Sequence, residues 1–321
     1  MSKTKLKRIY YGTMGLGGGW DEPKITKKSI EQAEKALQTA LSIGITKFDL
    51  ADIYQNGKSE EVFGAFLKNN SNIRKEIIIQ TKVGIILKNI DGVARYDFSE
   101  KHIIDSVKDS LKRLNTDYID TLLLHRPDPL MNIKDLKNAF QYLLDHKIVK
   151  KIGVSNMNQY QIEYIKKSTN TEISINQLEI SLKKLDWLDS TIGINNDEGF
   201  KSSFTPGLLE YMMTNNIEIQ AWSPMAGGLY TGKNFEILDE KESIESISKT
   251  KKYIYKLAQE KNTTPDSIVL SFILKHPSNI NPVIGTSNPE RIKLVKDCET
   301  IELTRKEWYK LYTLSRNKPL P

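Results

Sequence analysis

Four ionisable side chains follow short apolar runs in this chain, and their types belong to proton-transfer chemistry. Asp49 and Tyr54 stand five residues apart in FDLADIY, Lys82 lies in QTKVG, and His125 lies in LLLHRPDP. A free tyrosine has a pKa of about 10 and is a poor acid at neutral pH. A lysine ammonium beside it favours the phenolate and lowers that value. An aspartate paired with the lysine keeps it charged and in place. A histidine can hydrogen-bond a carbonyl oxygen and orient it. Together these groups suit proton donation to an oxygen gaining negative charge, as happens when a carbonyl is reduced. None of them supplies a hydride, so a nicotinamide has to bring it. Trp222 in AWSP can stack on such a ring, and Asn156 in GVSN and Gln177 in NQLE can hydrogen-bond its carboxamide.

These residues need a scaffold that gathers the ends of successive strands. Helical periodicity and extended apolar runs alternate along the chain. KKSIEQAEKALQTALSIG carries Ile30, Ala33, Ala36, Leu37, Ala40 and Leu41 on one stripe and stops at Gly44. Strands are expected at ITKFDLA, EIIIQTKVG, YIDTLLLH, VKKIGVSN, ISINQLEI, IEIQAWSP and NPVIGTS, with helices between them. Ser99 is placed to cap the helix SEKHIIDSVKDSLKRLN, and NPERIKLVKD reads as a helix near the end. An eighth strand is expected in residues 228–235. The strands lack strict alternation, which fits burial on both faces of a parallel sheet. The expected fold is α/β, a single (β/α)8 TIM barrel domain over residues 1–321 with outer and extra helices. An open doubly wound sheet is the alternative. In a barrel, catalytic groups gather where strands end, and the four ionisable residues, Ser155, Asn156, Gln177 and Trp222 all fall there.

Composition narrows the classes of function. The net charge is +7, but the lysines are scattered among acids, with no basic run carrying interleaved aromatics, which argues against nucleic-acid binding. No apolar run reaches the roughly 18 to 20 residues of a membrane span. The basic start MSKTKLKRIYYG has no apolar core behind it, so a cytoplasmic protein is expected. Cys298, the single cysteine, excludes an intrachain disulfide and is expected to be inert in a charged helical stretch. No metal is expected: His125 with Asp128 lacks a second histidine at a strand end, because His102, His146 and His276 fall in helices or at their ends.

The stretch YYGTMGLGGGW places five glycines in eight residues, Gly12 to Gly19. It fails as a dinucleotide fingerprint. Gly15 and Gly17 give G-x-G, but Trp20 occupies the last position, and Pro23 keeps a helix from starting there. Phosphates must sit elsewhere.

At this point the residues resemble the aldo-keto reductase family. FDLADIY, TKVG and DTLLLHRPD match its aspartate–tyrosine, lysine and histidine segments, and GVSN, NQLE, AWSP and IGTSNPERI match its cofactor segments in order. The resemblance covers about residues 7–317 and is strongest toward bacterial oxidoreductases of the YdhF type. It implies NADPH-dependent, or less often NADH-dependent, reduction of small aldehydes or ketones. By position, Tyr54 is the general acid, Lys82 tunes it, Asp49 holds Lys82, and His125 orients the carbonyl. Ser155, Asn156 and Gln177 bind the carboxamide, and Trp222 stacks on the nicotinamide. Ser223, Pro224 and Met225 line the pyrophosphate loop, with Gly227 beside them. Ser287 and Arg291 hold the adenosine phosphate, helped by the N-terminus of the following helix. Gly12, Thr13 and Met14 run beside the nicotinamide, and Trp20 comes near the substrate. Gly285, also on the cofactor side, stands where many relatives carry a lysine that contacts the 2′-phosphate. Leu294 and Val295 stand where many others carry Glu and Asn for the adenine.

The resemblance leaves specificity to residues 84–98 and 184–206, with Tyr96, Trp187 and Phe200 as candidate apolar wall. Pro321 closely follows the last helix, so an open site is expected, and the oligomeric state is left open. Two rivals stand beside this one. Tyr54-Gln-Asn-Gly-Lys58 matches the Tyr-x-x-x-Lys string of short-chain dehydrogenases. The other is a cofactor-binding regulatory subunit of the same fold with little turnover.

Overall fold

The computed structural model describes residues 6–195, 202–232 and 241–321. They form two compact units, Met1–Gln177 with Gly285–Pro289, and Leu178–Ile284 with Glu290–Pro321. Eight parallel strands close into a barrel: β1 (Tyr10–Gly12), β2 (Lys47–Asp49), β3 (Ile78–Val83), β6 (Ile119–Leu124), β7 (Val149–Ser155), β8 (Ile173–Glu179), β9 (Glu218–Trp222) and β10 (Asn281–Ile284). Their order around the barrel is β1-β10-β9-β8-β7-β6-β3-β2. The short strands β4 (Ile85–Ile86) and β5 (Arg95–Tyr96) make an antiparallel hairpin within residues 84–98.

The seven expected strands are present, but the eighth lies elsewhere. It is β1, whose three residues are all buried and pair with β2 as Tyr10↔Lys47, Tyr11↔Phe48 and Gly12↔Asp49. Residues 226–228 instead form a 3-10 turn and 229–232 continue in turns, while 233–235 lie outside the described residues. A strand of three residues is too short for periodicity to reveal, and its glycine-rich continuation reads as loop.

Helices cover the strands. In the first unit these are α1 (Lys27–Ser42), α2 (Lys58–Asn69), α3 (Lys88–Asp91), α4 (Glu100–Leu114), α5 (Ile133–Asp145) and α6 (Gln159–Thr169). Thr26 and Ser29 form a capping box at the start of α1, which buries Ala33, Ala36, Leu37 and Ala40. Ser99 caps α4 as expected, its Oγ accepting from His102 N at 3.3 Å. Under α1 and α2, Phe48 meets Tyr11 edge-on at 6.3 Å and Phe63 at 5.2 Å.

The second unit carries α7 (Asp186–Ile192), α8 (Leu208–Thr214), α9 (Lys241–Glu260) and α10 (Pro265–Leu274). The chain ends with α11 (Pro289–Lys293) and α12 (Arg305–Arg316). The expected helix NPERIKLVKD is therefore only five residues long, and Cys298 lies in the turns that follow rather than in a helix. It is buried, and burial pushes its thiol far above the usual range, which disfavours the reactive thiolate. Helix α7 was not expected within 184–206. It buries Trp187 completely, edge-on to Phe272 at 6.2 Å and to His276 at 5.0 Å. Trp187 is therefore a core residue of this unit and not a pocket wall. Phe200 lies outside the described residues.

Candidate active site

Strand register builds the site. Gly12, Asp49, Gln80 and Thr121 stand in one row across β1, β2, β3 and β6. Two residues further along β3, Lys82 projects to the same side as Gln80. Asp49, Lys82 and Gln80 are almost fully buried. Lys82 Nζ donates to Asp49 Oδ2 at 2.8 Å, to Leu50 O at 2.9 Å and to Tyr54 Oη at 3.0 Å. The other carboxylate oxygen, Asp49 Oδ1, accepts from Gln80 Nε2 at 2.6 Å and from Gln177 Nε2 at 2.9 Å. His125 follows β6 and meets the Tyr54 ring edge-on at 5.9 Å. The four ionisable residues singled out in the sequence thus come together. Gln80 was not among them, although its two-residue offset from Lys82 on one strand is a legible signal.

The charge states follow from burial and neighbours. Burial pushes the Tyr54 phenol up, Lys82 pulls it down, and Asp49 pushes it up again; the net shift is upward. The expected lowering is present as the lysine's contribution but is outweighed by desolvation. Burial alone would lower Lys82, yet Asp49 and Tyr54 outweigh it and raise its pKa, so the ammonium stays charged. Burial, helped by the Lys82 and Arg126 charges, holds His125 well below its usual range, so the imidazole is neutral at pH 7. Its buried Nδ1 has no hydrogen-bond partner among the described residues. Burial and then the Glu60 carboxylate push Asp52 up to about 8, against the pull of Arg113, which pairs with Glu60 at 2.8 Å.

The first unit also holds residues expected at both ends of the cofactor, Gly285 and Ser287 being the ones expected at its adenosine phosphate. Ser155 Oγ donates to Gln177 O at 2.9 Å, and Asn156 Nδ2 donates to Ser155 Oγ at 2.7 Å. Asn156 sits in the left-handed region at φ 58°, its backbone N donating to Gln177 O at 2.9 Å. Thr13 is buried, its N donating to Asp49 O at 2.9 Å and its Oγ1 sharing a hydrogen bond with Ser59 Oγ at 2.7 Å. Met14 is exposed, and its carbonyl accepts from Gln55 Nε2 at 2.8 Å. A Cβ on Gly285 would meet nothing within 4 Å, so open space lies over the backbone there. Ser287 Oγ accepts from Gln32 Nε2 at 3.2 Å.

In the second unit, Trp222 ends β9 half-buried, and Ser223, Pro224 and Met225 lead into the turn at 226–228. Ser223, Ala226 and Gly227 are left-handed at φ 52°, 46° and 65°, a tight path with little side chain to block a ligand. Arg291 lies against Gly228, with a nitrogen 3.4 Å from Thr231 Oγ1 and 3.8 Å from the buried Asp266 carboxylate. Within the first unit, the amides at Asn156 and Gln177, the His125 Nδ1 without a hydrogen-bond partner among the described residues and the space over Gly285 leave polar groups and room for a ligand.

Trp20 is exposed, at the rim of a cavity of about 530 Å³ shared with Asn56, Lys58 and Asn89. None of the four ionisable residues lines that cavity.

Comparison with known proteins bears on the family and the fold. The model of the aldo/keto reductase family matches residues 8–315. A 6-dehydroglucose reductase of Agrobacterium fabrum is 31% identical over 98% of this chain and 96% of its own length. The oxidoreductase YdhF of Escherichia coli is 29% identical over 88% of this chain and 87% of its own. A crystal structure of an aldo/keto reductase from Klebsiella pneumoniae in complex with NADP and acetate superimposes with a TM-score of 0.71. It is 20% identical and covers 96% of this chain and 91% of that one.

Proposed function

This chain belongs to the aldo/keto reductase family, and from that premise we propose that it reduces the carbonyl of a small aldehyde or ketone with NADPH, NADH serving less well. One observation carries the proposal. A single buried ammonium, Lys82 Nζ, joins the Asp49 carboxylate at 2.8 Å to the Tyr54 hydroxyl at 3.0 Å beside a neutral imidazole.

A nicotinamide dinucleotide, when bound, supplies the hydride. As negative charge grows on the carbonyl oxygen, Tyr54 Oη gives it a proton. The phenolate left behind is stabilised by Lys82, whose three donors are spent on Tyr54, Asp49 and Leu50 O. Asp49, held in turn by Gln80 and Gln177, keeps the ammonium charged and aimed. A high phenol pKa suits this role: Tyr54 enters each turnover protonated, and its acidity is drawn out only as the oxyanion forms. Neutral His125 donates a hydrogen bond to the carbonyl and orients it without competing as an acid.

Ser155, Asn156 and Gln177 would hold the carboxamide and Trp222 would stack on the nicotinamide, with Gly12, Thr13, Met14 and Gly285 giving backbone on the cofactor side. Ser223, Pro224, Met225 and Gly227 would line the pyrophosphate, and Ser287 and Arg291 would hold the adenosine phosphate. Arginine supports NADPH over NADH, because its planar fork matches a phosphate in bidentate fashion. We read residues 1–321 as one domain, supported by the single strand order that closes the barrel. A relative's name, 6-dehydroglucose reductase, puts sugar-derived carbonyls first among substrates to try. Steady-state oxidation of NADPH and NADH against aldehydes, ketones and oxidised sugars tests the proposal. Tight NADPH binding with no turnover on any of them would favour a binding subunit instead.

A further inference from the structure

The Tyr-x-x-x-Lys string at Tyr54 and Lys58 is left unused by the chemistry above. It is Lys82, not Lys58, that holds the Tyr54 hydroxyl. Lys58 is 4% exposed, and its ammonium donates to Gly19 O at 2.6 Å and to Glu22 O. Both partners are main-chain carbonyls of the glycine-rich loop.

The neighbouring side chains do the same. Gln55 Nε2 donates to Met14 O at 2.8 Å, and Asn56 Nδ2 donates to Trp20 O at 3.0 Å. Asn89 Nδ2 steadies Asn56 by donating to its Oδ1 at 3.0 Å. Gln55, Asn56 and Gly57 are left-handed in succession, at φ 52°, 58° and 88°. Two non-glycine residues in a row persist there only when their surroundings over-determine them. Close packing completes the join, since a Cβ on Gly17 would fall 2.7 Å from Lys58 C and 2.8 Å from Lys58 O. Four carbonyls of residues 14–22 are therefore held by three side chains that directly follow Tyr54. The start of the loop is fastened separately, through Thr13 N to Asp49 O at 2.9 Å.

An ammonium suits the distal end of this loop. Its donors spread from one atom and serve two carbonyls at once, and charge-assisted bonds are about twice as strong as neutral ones. We infer that Lys58 is a positioning residue that clamps residues 17–22 onto the start of α2, and so fixes Trp20 at the rim of the cavity of about 530 Å³, where Trp20 is read as a substrate contact. The cofactor side, at Met14, is held by Gln55 and is independent of Lys58. The effect of Trp20 on substrate KM rests on the proposed carbonyl reduction with Trp20 as a substrate contact; the clamp itself does not.

The test compares the full chain with Lys58→Met and Asn56→Gly by amide hydrogen exchange over residues 14–25 and by steady-state kinetics. Methionine keeps the stem and removes the donors. Exchange of the loop in Lys58→Met accelerates about tenfold, and substrate KM rises by a similar factor. The kcat and the NADPH Kd stay within about twofold, a split that general damage to the barrel would not give. Asn56→Gly tolerates the left-handed backbone, loses one donor, and shows a smaller change in the same direction; it decides the matter if Lys58→Met does not fold. Unchanged loop exchange in a folded variant overturns the inference, and so does faster exchange with an unchanged KM. If the wild-type chain turns over no carbonyl, the proposed reaction fails while loop exchange still judges the clamp.

Discussion

Lys82→Met separates the structural role of the buried pair from its chemical one. The ammonium and the Asp49 carboxylate are 1% and 4% exposed, and 2.8 Å apart. Removing one partner of a buried pair costs about 3–5 kcal/mol, because the other charge is left uncompensated. Asp49 Oδ1 would keep its bonds from Gln80 and Gln177, which places the cost near the lower end, about 3 kcal/mol. For a chain of this length each kcal/mol moves the melting temperature by about 2 °C, so Lys82→Met should melt about 6 °C below wild type. The double variant Asp49→Asn/Lys82→Met carries no buried charge there and should recover most of that loss. Activity should not recover. Both variants lack the group that stabilises the Tyr54 phenolate, and kcat should fall by about 10²–10⁴ in each. Thermal melts and steady-state rates at pH 7 on the three proteins read both effects. A single variant that melts with the wild type, or a double that melts no higher than the single, would refute the electrostatic argument. Near-normal kcat in either would refute the chemical one.

Other substitutions probe separate parts of the molecule. Arg291→Ala should raise KM for NADPH by about tenfold and change KM for NADH little, since a bidentate phosphate contact is lost; equal effects would show that Arg291 does not read the 2′-phosphate. Acid stability should depend on His276, which burial lowers to about 4 against the pull of Glu210. Its folded pKa lies below the unfolded value of about 6.5, so the folded state binds fewer protons and stability falls as pH drops from about 6.5 to 4. His276→Gln should remove roughly 2 kcal/mol of that decline after allowance for partial exposure. Denaturant melts at pH 7 and pH 4.5 measure it, and an unchanged slope in the variant would contradict the assignment.

The tetrad was legible because ionisable residues are uncommon behind apolar strands, and four of them recur there in order. The supporting shell was less so. Gln80 shares a strand face with Lys82, yet an uncharged amide draws no notice without its partner Asp49 in view. Desolvation was invisible for a similar reason. The sequence names Lys82 as the neighbour that lowers Tyr54, but the burial that outweighs it belongs to the packed fold. Strand β1 escaped because three residues hold no periodicity, and α7 because one short turn-rich helix sits in a mixed loop. Trp187 shows the converse: an aromatic in a variable loop was offered as pocket wall, and a helix drew it into the core. Lys58 was the subtler case. Its spacing from Tyr54 suggested one chemistry, while its carbonyl partners lie some forty positions earlier in the chain, where no local pattern points.

The most direct measurement is NADPH oxidation against a carbonyl panel by wild type and Tyr54→Phe, with NADPH affinity determined on the same preparations. If Tyr54 is the proton donor, wild type turns over at least one carbonyl, and the phenylalanine variant loses about 10²–10⁴ in kcat at unchanged NADPH Kd. A Tyr54→Phe protein that keeps wild-type kcat would contradict the proposed chemistry.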